Sequence, residues 1–184
     1  MKRILPIVLA LLLSGCSART EMDQALALRG RLLGEQTRFR CTVTADYIDT
    51  ADVFSMDCTG ETDGSLHFTV TEPESICGIS GTISGSDGEL TFAGDILAFP
   101  LLGDDRLSPA AAPWVLVNAL KNGYITSVGK EGEGLILTID DSYDEDAMTL
   151  QIATDESCNP IFAEVFLDGR RILSMEVEFS PSGA

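Results

Sequence analysis

The chain has 184 residues, a length that suits one domain with its own core, and its net charge is −17. That charge argues against nucleic-acid partners, because counterion release from phosphates needs clustered Lys and Arg. An apolar content of 45% argues against disorder, and a single histidine argues against His-based metal sites and Ser/His/Asp catalysis.

Met1-Lys2-Arg3 is a positive leader, and residues 4–13 are an uncharged apolar run. That run is too short for a membrane span, which takes about 20 residues, and has the length of a secretory core. Leu13-Ser14-Gly15-Cys16 follows. This string resembles the bacterial lipobox, with Leu at −3, small residues at −2 and −1, and Cys at +1. The resemblance implies that residues 1–15 are a lipoprotein signal peptide, cleaved before Cys16. It also implies diacylglycerol on the Cys16 sulfur and a membrane partner held through that anchor. Two or three acyl chains, at ~0.8 kcal/mol per buried CH₂, hold a protein stably on a bilayer. The alternative is an ordinary secreted protein with a cysteine near its cleavage site.

Loss of Lys2 and Arg3 would take the net charge to −19. Residues 16–40 carry five Arg and three acids, +2, whereas residues 41–184 carry five basic and 26 acidic residues, −21. An anionic lipid surface attracts the first segment and repels the second, so the domain would stand off the membrane on a basic foot. A solvated acidic surface that keeps the protein soluble accounts for the same numbers.

After a linker at residues 16–19, a single domain is expected over residues 20–180. Thr20 with Asp23 reads as a helix N-terminus, and Met22, Ala25, Leu26, Arg29, Leu32 and Leu33 fall near one helical face before Gly34. From Thr37 the period becomes two. Phe39, Cys41, Val43, Ala45 and Tyr47 form the inward face of one strand, and Phe54, Met56 and Cys58 that of the next. Inward residues are odd-numbered on the first strand and even-numbered on the second, so cross-strand partners must sum to an odd number. A turn centred between Asp49 and Thr50 pairs Ala45 with Phe54, Val43 with Met56 and Cys41 with Cys58.

Leu66, Phe68 and Val70 continue the alternation until Pro73. Residues 79–83 and 90–92 flank Ser86-Asp87-Gly88, a hairpin signal, and residues 96–102 form another strand. Ser108-Pro109 opens a helix that runs through Trp114-Val115-Leu116-Val117 to Asn122-Gly123, with Pro113 shifting its start or kinking it. Four consecutive large apolar residues leave it no polar face, so it should be buried or lie over an apolar opening. Strands follow at residues 124–128, 135–139, 148–152, 161–167 and 172–179. For the last pair, joined at Asp168-Gly169, a three-residue loop is expected, pairing Ala163 with Leu173 and Ile161 with Met175.

With Cys16 lipidated, Cys41, Cys58, Cys77 and Cys158 allow three connectivities. The hairpin arithmetic favours Cys41–Cys58, leaving Cys77–Cys158; four free thiols are the alternative. No C-x-x-C spacing occurs, which argues against zinc and thioredoxin-like chemistry. The acidic run 140–146, read as a calcium loop, has Glu145 where glycine is required and Gln151 where glutamate is required, so it reads better as a solvated turn. His67 lies on the polar phase of its strand. No nucleophile elbow, phosphate loop or dinucleotide fingerprint is present. No catalytic residue, metal site or cofactor is assigned, and the chain is read as not an enzyme.

The helix over residues 20–33, the Phe39 and Phe54 strands and Phe68-x-Val70-x-x-Pro73 together resemble the LolA/LolB-like lipoprotein fold. So do Ser86-Asp87-Gly88 with Leu90-x-Phe92, and the Pro113-Trp114 helix. The string is also similar to small uncharacterised lipoproteins of Gram-positive bacteria. The resemblance implies a mainly β (α+β) domain: a strongly curved antiparallel sheet forming a half-open barrel, an N-terminal helix, and one apolar helix across its mouth. It further implies a cavity for an acyl chain or another amphiphile. Phe39, Val43, Phe54, Met56, Phe68 and Phe92 would line that cavity, and Trp114 and Leu120 would act as its lid. The same residues could fill a closed core. The protein would then be a non-catalytic cell-surface protein with an envelope protein partner. Either way the expected location is the extracytoplasmic face of the cell membrane, or the outer membrane if the organism has one.

Overall fold

The computed structural model describes residues 15–47, 50–85, 87–103, 106–143 and 147–180. Residues 1–14, the tip at 48–49, Ser86 and the acidic residues 144–146 lie outside them.

Helix α1 spans Gly15–Gly34. It begins five residues before Thr20, because nothing between Cys16 and Arg19 breaks a helix, so Thr20 is interior and does not cap it. Ala25, Leu28 and Leu32 are its buried stripe, at the three- and four-residue spacing of one helical face. Leu26 and Leu33, expected to face inward, are each 49% exposed, since each lies one residue beyond a residue expected on the same stripe.

Among the described residues thirteen strands follow. In chain order they are β1 (Thr37–Tyr47), β2 (Thr50–Gly60), β3 (Leu66–Glu72), β4 (Ser80–Ser84), β5 (Asp87–Phe92), β6 (Asp95–Pro100), β7 (Leu102–Gly103) and β8 (Arg106–Leu107). Helix α2 (Ala112–Asn122) comes next, then β9 (Tyr124–Glu131), β10 (Gly134–Asp140), β11 (Thr149–Thr154), β12 (Pro160–Leu167) and β13 (Arg170–Phe179). Eleven strands form one antiparallel sheet in the order β6-β5-β4-β3-β2-β1-β13-β12-β11-β10-β9, and β7 pairs with β8 alone. Each strand pairs with its chain neighbour except where β1 meets β13, which closes the first and last strands together in mid-sheet.

The sheet is mainly β architecture of the curved, open kind, and α2 shows the curvature. Strands β2, β10 and β13 all pack against α2, yet β2 and β10 are five strand positions apart, about 24 Å along a flat sheet. One helix about 10 Å wide can touch both only if the sheet wraps around it. At one end α1 covers β9 and β10; at the other, β6 is an open edge.

The alternation places side chains on the expected faces. Cys41, Val43, Ala45 and Met56 are fully buried, as are Leu66 and Ile83 further along. The pairing within the hairpins differs. Strand β1 runs against β2 with Val43 opposite Phe54, Cys41 opposite Met56 and Phe39 opposite Cys58. Partners therefore sum to 97, not 99. Alternation fixes only parity, and a two-residue step along a strand keeps every side chain on its face.

The β12–β13 hairpin corrects a second expectation. Asp168 and Gly169 both have positive φ (51° and 71°), the signature of a two-residue type I′ turn. Leu167 pairs with Arg170 and Phe166 with Arg171, but then Val165 pairs with Leu173 and Ala163 with Met175. Ile172 is the extra residue of a bulge. The bulge restores the inward phase that the tight turn would have reversed, and Ala163, Val165 and Met175 are fully buried as a result. Between β4 and β5 the turn comes earlier than Ser86-Asp87-Gly88 suggested. Ser84 pairs with Asp87 and Gly85 takes φ 63°, while Gly88 is a strand residue lying against the Phe99 ring.

Candidate functional site

Helix α2 occupies the inside of the curve. A 3₁₀ turn (Pro109–Ala111) precedes it, and Pro113 sits in its first turn, where a missing N–H breaks no helical bond. The proline thus shifts the start and introduces no kink. Ala112, Pro113, Val115, Leu116, Val117, Ala119, Leu120 and Lys121 are all buried. The helix is buried nearly all round, as its run of large apolar residues demanded.

Polar side chains of the helix itself, and one from α1, pin this apolar element. The Trp114 indole Nε1 donates to the Gly64 carbonyl at 3.1 Å, and Lys121 Nζ donates to the Glu61 carbonyl at 2.6 Å. Burial pulls the Lys121 ammonium below the ordinary lysine pKa, with Asp63 and Glu61 opposing that shift. At the C-terminus, Arg29 from α1 donates through Nε to the Leu120 carbonyl at 2.8 Å and through Nη2 to the Gly123 carbonyl at 2.7 Å. Carbonyls of a last helical turn have no intrahelical donor, and a guanidinium there also complements the helix dipole. Sequence reading placed Arg29 on the apolar stripe but attached no role to it; a lone Arg at an inward helical position was the available signal.

The eight residues expected to line a cavity separate into three environments. Phe39, Val43, Met56, Phe68 and Leu120 are between 0% and 3% exposed, within a packed core that includes α2. Phe54 and Trp114 are half-buried and pack against that core. Phe92 is 57% exposed.

Phe92 is the most exposed of the eight, and it has company. On β5 the residues facing inward are Gly88, Leu90 and Phe92, whose partners on β6 are Phe99, Leu97 and Asp95. Leu97 is 65% exposed although it lies on the inward face, and Leu90 and Phe99 are half-buried. The apolar inner surface of the sheet therefore continues beyond the reach of α2 and is bare along β5 and β6. Ile96, on the other face of the same hairpin, is 69% exposed.

The remaining site expectations fall elsewhere. Cys41 and Cys58 are buried, Cys77 is exposed and Cys158 is partly exposed, and all four carry free thiols. Cys41 and Cys58 stand one pairing step apart, not opposite one another. Burial pushes the Cys41 thiol up to about 12 and pushes Cys58 higher still. Cys16 lies in the first turn of α1. His67 is exposed and its Nδ1 is 2.9 Å from Thr82 Oγ1. In the acidic turn, Asp141 accepts from the Met148 N–H and Asp140 from the Thr149 hydroxyl, so both carboxylates close the β10–β11 connection. Among the described residues no group of His, Cys, Asp and Glu is placed to hold a metal ion, and no helix is long and apolar enough to cross a membrane.

The outer face carries a second concavity. A groove of about 770 Å³ crosses it from β13 to β5; most of its lining residues are charged or carry hydroxyls, with Phe39, Phe68 and Phe179 among the rest. Nothing in the sequence reading pointed to it, because the residues involved come from six strands and share no motif.

No known protein family matches the chain, and no curated protein matches it in sequence. Solved structures with a similar course of the chain include a LolA superfamily protein from Nitrosomonas europaea (11% identity, 89% of this chain and 91% of that one, TM-score 0.47). A putative outer membrane lipoprotein-sorting protein domain from Vibrio parahaemolyticus is similar to the same degree (10% identity, 91% and 95%, TM-score 0.47). The lipoprotein LppX from Mycobacterium tuberculosis is another (14% identity, 88% and 92%, TM-score 0.41).

Proposed function

We propose that this protein is an extracytoplasmic lipoprotein, held to the membrane through Cys16, that binds an acyl chain or another amphiphile against the bare inner face of β5 and β6. One observation carries the reading: Phe92 and Leu97 face the inside of the curve and are still 57% and 65% exposed. Apolar side chains on an inward face are ordinarily covered, and an uncovered apolar surface continuous with the core suits an apolar ligand. The helix α2 fills the interior next to this surface, so the ligand lies between the helix and the open hairpin. The role is binding rather than catalysis, and the location is the outer face of the membrane.

The test is native mass spectrometry of the exported domain, residues 17–184, prepared without its lipid anchor and extracted gently. Bound acyl species are expected in the unaltered domain. The double substitution Phe92→Asp and Leu97→Asp should remove them with little change in the melting temperature, since both side chains are already in solvent. Phe54→Asp should also remove them. Absence of any acyl species from the unaltered domain would sink the reading.

A second reading is a surface interaction protein with a filled core. It is favoured by the packing of Phe39, Val43, Met56, Phe68 and Leu120, each at most 3% exposed. On this reading the same spectra show no lipid, fatty acid does not raise the melting temperature, and cross-linking yields an envelope protein.

A further inference from the structure

The outer groove has an order that follows from the sheet register. Glu178 pairs with Arg40, Arg40 with Asp57, Asp57 with Thr69, Thr69 with Ser80, and Ser80 with Thr91. These six side chains form one continuous row that follows the sheet across six strands, with neighbouring strands about 4.8 Å apart. A parallel row runs beside it: Arg38 pairs with Thr59, Thr59 with His67, and His67 with Thr82. All ten residues line the groove.

Three properties of these rows define a ligand. The charges cancel, with Arg38 and Arg40 against Asp57 and Glu178, in a body whose net charge is −21 over residues 41–184. A polyanion would find no surplus of cations here and would be repelled by the surrounding surface. Arg40 and Asp57 already hold each other at 3.0 Å, presenting a fixed planar donor next to a fixed acceptor. The hydroxyls of Thr69, Ser80 and Thr91 make no side-chain hydrogen bond to another described residue, so their donors and acceptors point unspent into the groove.

We propose that this groove binds an extended, uncharged oligosaccharide laid across the strands, its hydroxyls bonded by the Arg40–Asp57 pair and the Thr69–Ser80–Thr91 row. The pitch of the row, one strand spacing, is close to the repeat of an extended pyranose chain, so successive sugars meet successive strands. An extended peptide fits less well, because peptides add to a sheet at its edge through main-chain bonds. This site lies on the face opposite Phe92 and Leu97, and it stands or falls independently of the amphiphile reading.

The experiment is isothermal titration of the full lipidated chain, in a detergent without a sugar headgroup, with cellohexaose and chitohexaose as probes. Saturable binding of at least one is expected. The double substitution Thr69→Val and Thr91→Val should weaken it at least tenfold, because two hydroxyls, each a donor and an acceptor, are lost from exposed strand sites that tolerate valine. The melting temperature and bound lipid should stay unchanged. Failure of both hexasaccharides to bind would overturn the proposal, as would binding that the double substitution leaves intact. Preferential binding of a phosphodiester or uronate chain, lost on Arg38→Ala, would overturn it in favour of an anion site.

Discussion

Arg29 offers the sharpest test of how α2 is held. Replacing it with Met keeps most of the apolar stem and removes two charged donors, those to the Leu120 and Gly123 carbonyls at 2.8 and 2.7 Å. Hydrogen bonds from charged groups contribute about 1.5–3 kcal/mol each when shielded. Arg29 is only partly buried, and water can replace part of what it supplies, so about 2 kcal/mol is expected for the pair. That corresponds to a fall of roughly 4–8 °C in melting temperature for a domain of this size. The informative assay is hydrogen exchange followed residue by residue. If the guanidinium fastens the end of α2, exchange should rise by about thirtyfold in the last turn of α2, over residues 119–123. Strands β3 to β6, which lie across the sheet from the β9–β10 end that α1 covers, should exchange as before. Arg29→Lys should fall between, since one ammonium reaches one carbonyl well and the second poorly. A loss below about 0.5 kcal/mol, or exchange raised evenly over the whole domain, would refute the reasoning.

The buried thiols give a pH prediction. Burial raises Cys41 to about 12 and Cys58 further, so the folded chain keeps both protonated while the unfolded chain loses its protons near 9. Protons bound in the folded state exceed those in the unfolded state above pH 9, so stability present at neutral pH is lost as pH rises from 9 towards 12. Urea titrations of Cys41→Ala/Cys58→Ala should show a flatter alkaline fall than the unaltered chain, and equal slopes would contradict this. A thiol reagent should label Cys77 in the folded protein and reach Cys41 and Cys58 only on unfolding; a Cys41–Cys58 or Cys77–Cys158 bridge would appear as two missing thiols. Gly134→Ala should cost about 1–3 kcal/mol of stability and lower the urea midpoint accordingly, because the new methyl meets the Thr154 carbonyl oxygen where β10 passes β11. An unchanged midpoint would mean those strands can part without cost.

Much of the fold was legible because alternation is local. Phe39, Cys41, Val43 and Ala45 declared a strand and its inward face, and the Asp168-Gly169 turn declared a hairpin. The apolar run in α2 called for burial or a place over an apolar opening, and the structure buries the helix nearly all round. The candidate site was less legible. Five of the eight expected lining residues are packed core, while Leu97, which the sequence reading passed over, is bare on the inner face beside Phe92. Whether an inward residue is covered depends on where α2 stops, and α2 lies some fifteen residues away in the chain. The outer groove was invisible for a related reason, since its residues are spread over six strands and meet only through the sheet register.

The sequence by itself determined which residues face in and where most strands and both helices lie. These are properties of short stretches, set by a period of two or 3.6 and by turn residues. Only the tertiary structure decided the absolute register of β1 on β2, the bulge at Ile172, the meeting of β1 with β13, and which sheet edge stays open. Parity is conserved when a strand slips by two residues or when a turn and a bulge compensate each other, so alternation cannot separate those arrangements. Packing of the whole core can, because each slip changes which side chain sits against which.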